Sequence, residues 1–141
     1  MDKEEINKRV LYIKKKLETL KLAIEDYSKQ EKPFEKYKVI KTIERDSEEI
    51  VESATRINQE ILSQKNFIAE SYRESFEKLF EFEIIIDKKF LEKLANTTGF
   101  RNRLAHEYMN LDDKVTFKSA EQLIKLYPKY LMNIVEYLEK N

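Results

Sequence analysis

Residues 99–108 read Gly-Phe-Arg-Asn-Arg-Leu-Ala-His-Glu-Tyr and contain both the one histidine and the one glycine of the chain. Histidine is the side chain whose unperturbed pKa lies near physiological pH, so His106 is the natural carrier of acid–base chemistry here. Arg101 stands five residues before it and Tyr108 two after. On a helix, Asn102 and His106 are one turn apart and share a stripe, while Arg101 and Tyr108 point in nearly the same direction. A guanidinium, an amide, an imidazole and a phenol on one ridge make poor core material, because each buried polar group needs a partner. The ridge suits a groove, or a seam where a second copy adds a matching set. Taken singly these residues have ordinary explanations: a solvated histidine near a helix end, an Arg101–Glu107 surface pair, a packed Tyr108. Their joint spacing favours a site.

The elements that must position this ridge follow from hydrophobic periodicity. Ile6, Val10, Ile13, Leu17, Leu20, Ile24 and Tyr27 alternate steps of four and three, which predicts a helix over about residues 3–30 that ends before Pro33. Ile43, Ser47, Ile50, Ala54, Ile57 and Ile61 predict a second helix over about 35–64, widened by Val39, Ile40, Val51 and Leu62. Two long helices with a short joint form an antiparallel hairpin. Ser71-Tyr72-Arg73-Glu74 reads as a capping box at the start of a short helix over about 72–81, packed through Phe76, Leu79 and Phe80. Ile84–Ile86 form an apolar connection, and Asp87 is the expected N-cap of a fourth helix bearing Phe90, Leu91, Leu94 and Ala95. Leu94, Thr98, Arg101, Ala105 and Tyr108 keep the four–three spacing across Gly99, so that helix is expected to run through the glycine and carry the ridge on its last turns. Asp112 or Asp113 caps the last element, whose stripe is Phe117, Ala120, Ile124, Tyr127, Leu131, Ile134 and Leu138. Pro128 lies inside that stripe and predicts a kink or a division into two short helices.

Composition agrees with an all-α, up-and-down bundle of about five helices in one domain over 1–141. One glycine and two prolines leave little material for the turns of a strand-rich fold. Twenty-seven basic residues balance twenty-seven acidic ones, which excludes a global field for bulk nucleic acid and leaves room only for a local basic site. The absence of cysteine excludes disulfides and thiolate metal sites. The charged start Met1-Asp2-Lys3-Glu4-Glu5 lacks the apolar stretch of a signal peptide, and no apolar run approaches spanning length, so a cytoplasmic location and no membrane association are expected. Asn96-Thr97-Thr98 matches a glycosylation acceptor only by accident in that setting, and Lys14-Lys15-Lys16 reads first as a solvated face.

The order arginine–asparagine, three residues, histidine, one residue, tyrosine resembles the signature of the HEPN superfamily, and most closely its HepT-like branch. Gly99-Phe100 before the motif, the Ser71–Glu74 helix start and the order of helices extend the resemblance over most of the chain. The resemblance implies a helical homodimer that cuts RNA without a metal or cofactor, acting as the toxin of a type VII toxin–antitoxin pair. It implies Arg101 and His106 as the catalytic pair, Asn102 as support, and Tyr108 as the residue to which a minimal nucleotidyltransferase antitoxin attaches AMP. Relatives often carry an aspartate and a histidine in the second helix, near Ala54–Glu60 of this chain; Arg56 stands at the acidic position, with Glu52 and Glu60 as the carboxylates closest in sequence.

Metal-free cleavage requires the ribose 2′-hydroxyl to attack the adjacent phosphate, with a base, a cation for the pentacovalent phosphate and an acid for the leaving oxygen. His106 can serve as base or acid and Arg101 as the cation. One chain holds one histidine, so two copies meeting along the motif helix would complete the set. The competing reading is a non-catalytic helical module that binds nucleotide or RNA, or docks a nucleotidyltransferase.

Overall fold

In the computed structural model, residues 2–106 and 113–141 are described, with side chains for 2–99 and 113–141. Five helices follow one another: α1 (Lys3–Lys29), α2 (Pro33–Ser63), α3 (Tyr72–Glu81), α4 (Lys88–His106) and α5 (Asp113–Lys140). The all-α bundle expected from periodicity is therefore what forms.

The α1–α2 hairpin is the most extensive helix pair among the described residues. Asp2 caps α1 by accepting a hydrogen bond from the Glu5 N–H at 3.0 Å. Ile6, Val10, Ile13, Leu17 and Leu20 are buried as their spacing requires, while Ile24 and Tyr27 pack at the margin of the core. Lys32 is extended and Pro33 occupies the first turn of α2, where its missing N–H costs nothing. The proline thus begins the second helix two residues earlier than periodicity alone suggested. Ser47 and Ala54 are fully buried small residues on the inner stripe of α2, which packs most extensively against α1.

A polar cluster between these two helices has no counterpart in the hydrophobic pattern. Asp46 is buried and accepts from the Thr19 hydroxyl at 2.9 Å, and Lys16 bridges Asp46 at 3.5 Å and Glu49 at 2.8 Å. The Tyr12 hydroxyl donates to Glu49 at 3.0 Å. The Lys16 ammonium holds the Glu49 carboxyl below the usual carboxylate range.

Ser71 caps α3 as expected, its hydroxyl accepting from the Glu74 N–H at 3.0 Å. The return bond differs from the capping-box pattern: the Glu74 carboxylate accepts from the Glu70 N–H at 2.9 Å, one residue before the cap. With glycine absent from its end, α3 closes through Glu83 in the left-handed region at φ 62°, and Asn66 takes the same region after α2 at φ 58°. Ile84 and Ile85 enter the core, whereas Ile86 stays exposed.

Asp87 caps α4, accepting from the Phe90 N–H at 3.1 Å, and that bond lowers its carboxyl pKa. The helix continues through Gly99 to His106, as the spacing across the glycine required. Among the described residues, nothing lies within 4 Å of where a Cβ on Gly99 would stand. Gly99→Ala should therefore stabilise the fold by about 1 kcal/mol through helix propensity alone, read from the midpoint of denaturant unfolding.

The last element is one helix rather than two. α5 carries Pro128 in its interior, and Tyr127, Tyr130 and Leu131 around the proline are all buried. Packing on both sides of the break offsets the lost backbone bond. Asp113 is the first residue of α5; Asp112, the alternative cap, lies outside the described residues.

Candidate functional site

The buried face of α4 consists of Phe90, Leu91, Leu94, Ala95, Thr97 and Thr98. The same register reaches Arg101 seven residues after Leu94, and Asn102 and His106 stand one turn apart on the final turns of the same helix. The backbone thus brings Arg101, Asn102 and His106 onto one continuous helical segment. Their side chains lie outside the described residues, as does Tyr108 in full.

What holds this segment in place is a set of buried hydrogen bonds that join four helices. The Thr97 hydroxyl on α4 meets the Tyr127 hydroxyl on α5 at 2.9 Å and also donates to the Leu94 carbonyl at 2.6 Å. Next to it, the Tyr130 hydroxyl lies 2.6 Å from Asn58 Oδ1 and 3.0 Å from the Ala54 carbonyl, both on α2. The Asn58 amide donates to the Ser75 hydroxyl on α3 at 3.2 Å, and that hydroxyl donates to the Tyr72 carbonyl at 2.7 Å. Phe76, Tyr127 and Tyr130 stack edge-on or tilted, with ring centroids 5.5 to 6.5 Å apart. Complete burial raises the pKa of both phenols, so they remain neutral donors at any working pH. On the outer side, Arg73 Nη1 donates to Asn96 Oδ1 at 3.0 Å and ties α3 to α4.

The sequence reading placed Phe76 and Tyr127 in apolar stripes but assigned none of these residues a supporting hydrogen bond. The signal available was slight: Asn58 is an amide beside the apolar stripe of α2, and Tyr130 lies one turn beyond Leu126. Their partnership spans seventy-two residues and is invisible to local periodicity. Removing the Tyr130 hydroxyl as Tyr130→Phe takes the donor from Asn58 Oδ1 in a dry interior. It should lower stability by about 1–3 kcal/mol, measured by denaturant unfolding.

A cleft of about 400 Å³ opens between α4 and α5, lined by Lys93, Asn96 and Gly99 on one side and Ser119 and Gln122 on the other. It runs along α4 toward the turn that carries Arg101. Arg56 is exposed and pairs with Glu52 at 3.0 Å, on the far side of α2 from Asn58. Glu60 accepts from the Asp2 N–H at 3.5 Å. Both carboxylates near Arg56 are thus engaged at the surface.

The fold is that of the HEPN proteins. The structure superposes on a tri-AMPylated Shewanella oneidensis HEPN toxin solved in complex with MNT antitoxin, with a TM-score of 0.82 over 96% of this chain and 99% of that one, at 19% identity. A toxin–antitoxin structure with AMP-PNP gives 0.81 over 95% and 99%, at 18% identity. The Bacillus subtilis cytosolic protein YutE, of unknown function, gives 0.81 over 99% and 92%, at 13% identity.

The chain belongs to the ribonuclease HepT-like family, whose model matches residues 13–135. It is 34% identical over 91 residues to the tRNA nuclease HepT of Aphanizomenon flos-aquae (strain 2012/KM1/D3), a match that covers 63% of this chain and 60% of that relative. No described helix is long and apolar enough to cross a membrane.

Proposed function

We propose that this protein is a metal-independent endoribonuclease that acts as the toxin of a toxin–antitoxin pair. The observation that carries the reading is the unbroken course of α4 through Gly99 to His106, in a chain of the HepT-like family. Arg101, Asn102 and His106 then share the last turns of one rigid element, which is how a small site is best held.

The chemistry follows from these groups. His106 withdraws the proton from the ribose 2′-hydroxyl, or supplies one to the departing 5′-oxygen. Arg101 places paired N–H donors on the non-bridging phosphate oxygens as negative charge accumulates there. One imidazole cannot hold both roles in a single step. A homodimer joined along α4 pools two histidines and two arginines over one phosphodiester, so dimerisation is part of the mechanism. Asn102 orients the substrate or the imidazole.

The partner is a minimal nucleotidyltransferase that transfers AMP to Tyr108. The solved neighbours support such a partner, one being an AMPylated HEPN toxin bound to MNT antitoxin. Transfer RNA is the first substrate to test, since a relative is a tRNA nuclease. Purified protein incubated with total tRNA should give discrete fragments, and its expression without the partner should arrest growth. RNA that is bound but never cut would favour the non-catalytic binding module instead.

A further inference from the structure

The first turns of α2 carry a face that neither the core nor the motif uses. Phe34, Tyr37, Lys38 and Lys41 stand at steps of three, one and three, which places all four on one side of the helix. Phe34 is 64% exposed and Tyr37 57% exposed. The Lys38 ammonium lies 4.6 Å from the centre of the Phe34 ring, and the Lys41 ammonium 5.3 Å from that of Tyr37. No aliphatic side chain interrupts this stripe. Residues 29–41 hold five lysines against two glutamates in a chain that is neutral as a whole.

This face lies at the end of the bundle where α1 finishes and α5 begins, on the side of α2 turned away from the buried Ile40 and Ile43. Tyr27, at the end of α1, has the Lys36 ammonium 5.2 Å from its ring centre and Phe117 of α5 edge-on at 4.4 Å. Its hydroxyl donates to Asp113 at 3.3 Å. The end of α1 and the starts of α2 and α5 therefore meet. Helices α4 and α5 run alongside each other in opposite directions, with Thr97 opposite Tyr127. The motif helix ends at His106, and α5 begins seven residues later at Asp113, so the two ends are joined by a short connection.

We propose that Phe34, Tyr37, Lys38 and Lys41 form a stacking platform that holds single-stranded RNA on the outer side of α2, an inference that rests on the ribonuclease reading. Unpaired bases stack on exposed aromatic faces without regard to sequence, and ammonium groups beside the rings neutralise the phosphates between them. Lys38 touches Glu35 at 3.5 Å, an exposed pair that is weak and yields to a phosphate, and Lys41 touches the partly buried Glu44 at 3.2 Å. A duplex hides its base faces and gains only the lysines. Exposed rings flanked by cations match the chemistry of a nucleic-acid strand, in which base faces alternate with phosphates.

The test uses the full chain carrying His106→Ala, so that RNA stays intact, and reads the anisotropy of a fluorescein-labelled oligouridine. Adding Phe34→Ala and Tyr37→Ala should weaken binding by about tenfold or more, and Tyr37→Phe alone should leave it intact. Lys38→Ala with Lys41→Ala should weaken binding and flatten its dependence on salt. A labelled duplex should be insensitive to the loss of the rings. Unchanged oligouridine affinity in the double alanine variant, with its helical circular dichroism preserved, overturns the platform. So does the absence of oligouridine binding altogether, or a dependence on the two rings seen only for a protein partner or for anionic vesicles. Ring-dependent binding by a wild-type protein that cuts no RNA would support the platform while refuting the ribonuclease.

Discussion

His106→Ala should cut RNA about a hundredfold to ten-thousandfold more slowly than the wild type, the range expected when a positioned acid–base group is removed. The fold should survive, because α4 is anchored upstream of this position. Its cap at Asp87, its buried face from Phe90 to Thr98 and its Thr97–Tyr127 bond all lie before Gly99. Far-ultraviolet circular dichroism and the unfolding midpoint separate the two effects: activity falls while both remain as in the wild type. Arg101→Ala should show a comparable loss. Arg101→Lys should restore only part of it, since an ammonium keeps the charge but not the paired donors. A His106→Ala protein that cuts normally would remove the imidazole from the mechanism.

Adenylylation of Tyr108 should silence the protein. Incubation with the partner nucleotidyltransferase and ATP should add the mass of AMP to a peptide containing Tyr108 and bring RNA cutting to background. An AMP adduct adds a negative phosphodiester and a nucleoside two residues after His106 in sequence, so it is expected to oppose RNA by charge and by bulk. Tyr108→Phe should escape the modification and stay toxic in the presence of the partner. Modification at a different tyrosine, with Tyr108 untouched, would contradict this assignment. Tyr127 and Tyr130 are poor alternatives, being fully buried and hydrogen-bonded inside the bundle.

The fold was legible because helical bundles write their packing into local spacing. Ile6 through Leu20 on α1 and Ile43 through Ile61 on α2 are buried as their steps of three and four require. The caps at Ser71 and Asp87 and the continuity across Gly99 were equally local signals. Pro128 left a kink or a division open; the helix is undivided, and the burial of Tyr127, Tyr130 and Leu131 that holds it together is a tertiary term that local reading does not contain. The Glu74 carboxylate was placed on the correct turn but on the wrong N–H, since the choice between Glu70 and Ser71 depends on the entry path of the chain.

The supporting network was not legible, for the same physical reason. Asn58, Ser75, Thr97, Tyr127 and Tyr130 come from four helices and become partners only when the bundle closes. Asp46 is similar: its burial between α1 and α2 is tolerable because Thr19 and Lys16 arrive from the other helix. Arg101, Asn102 and His106 were read as one constellation because the chain has a single histidine and their spacing is helical. The α4 backbone keeps that spacing.

The most direct test of a metal-free Arg101/His106 ribonuclease is the chemistry of the ends it leaves, with EDTA present, from wild type and His106→Ala side by side. Attack by the ribose hydroxyl predicts 2′,3′-cyclic phosphate and 5′-hydroxyl ends from the wild type, undiminished by the chelator, and almost none from the variant. Ends bearing 3′-hydroxyl and 5′-phosphate, or cutting that stops in EDTA and returns with added Mg²⁺, would contradict it.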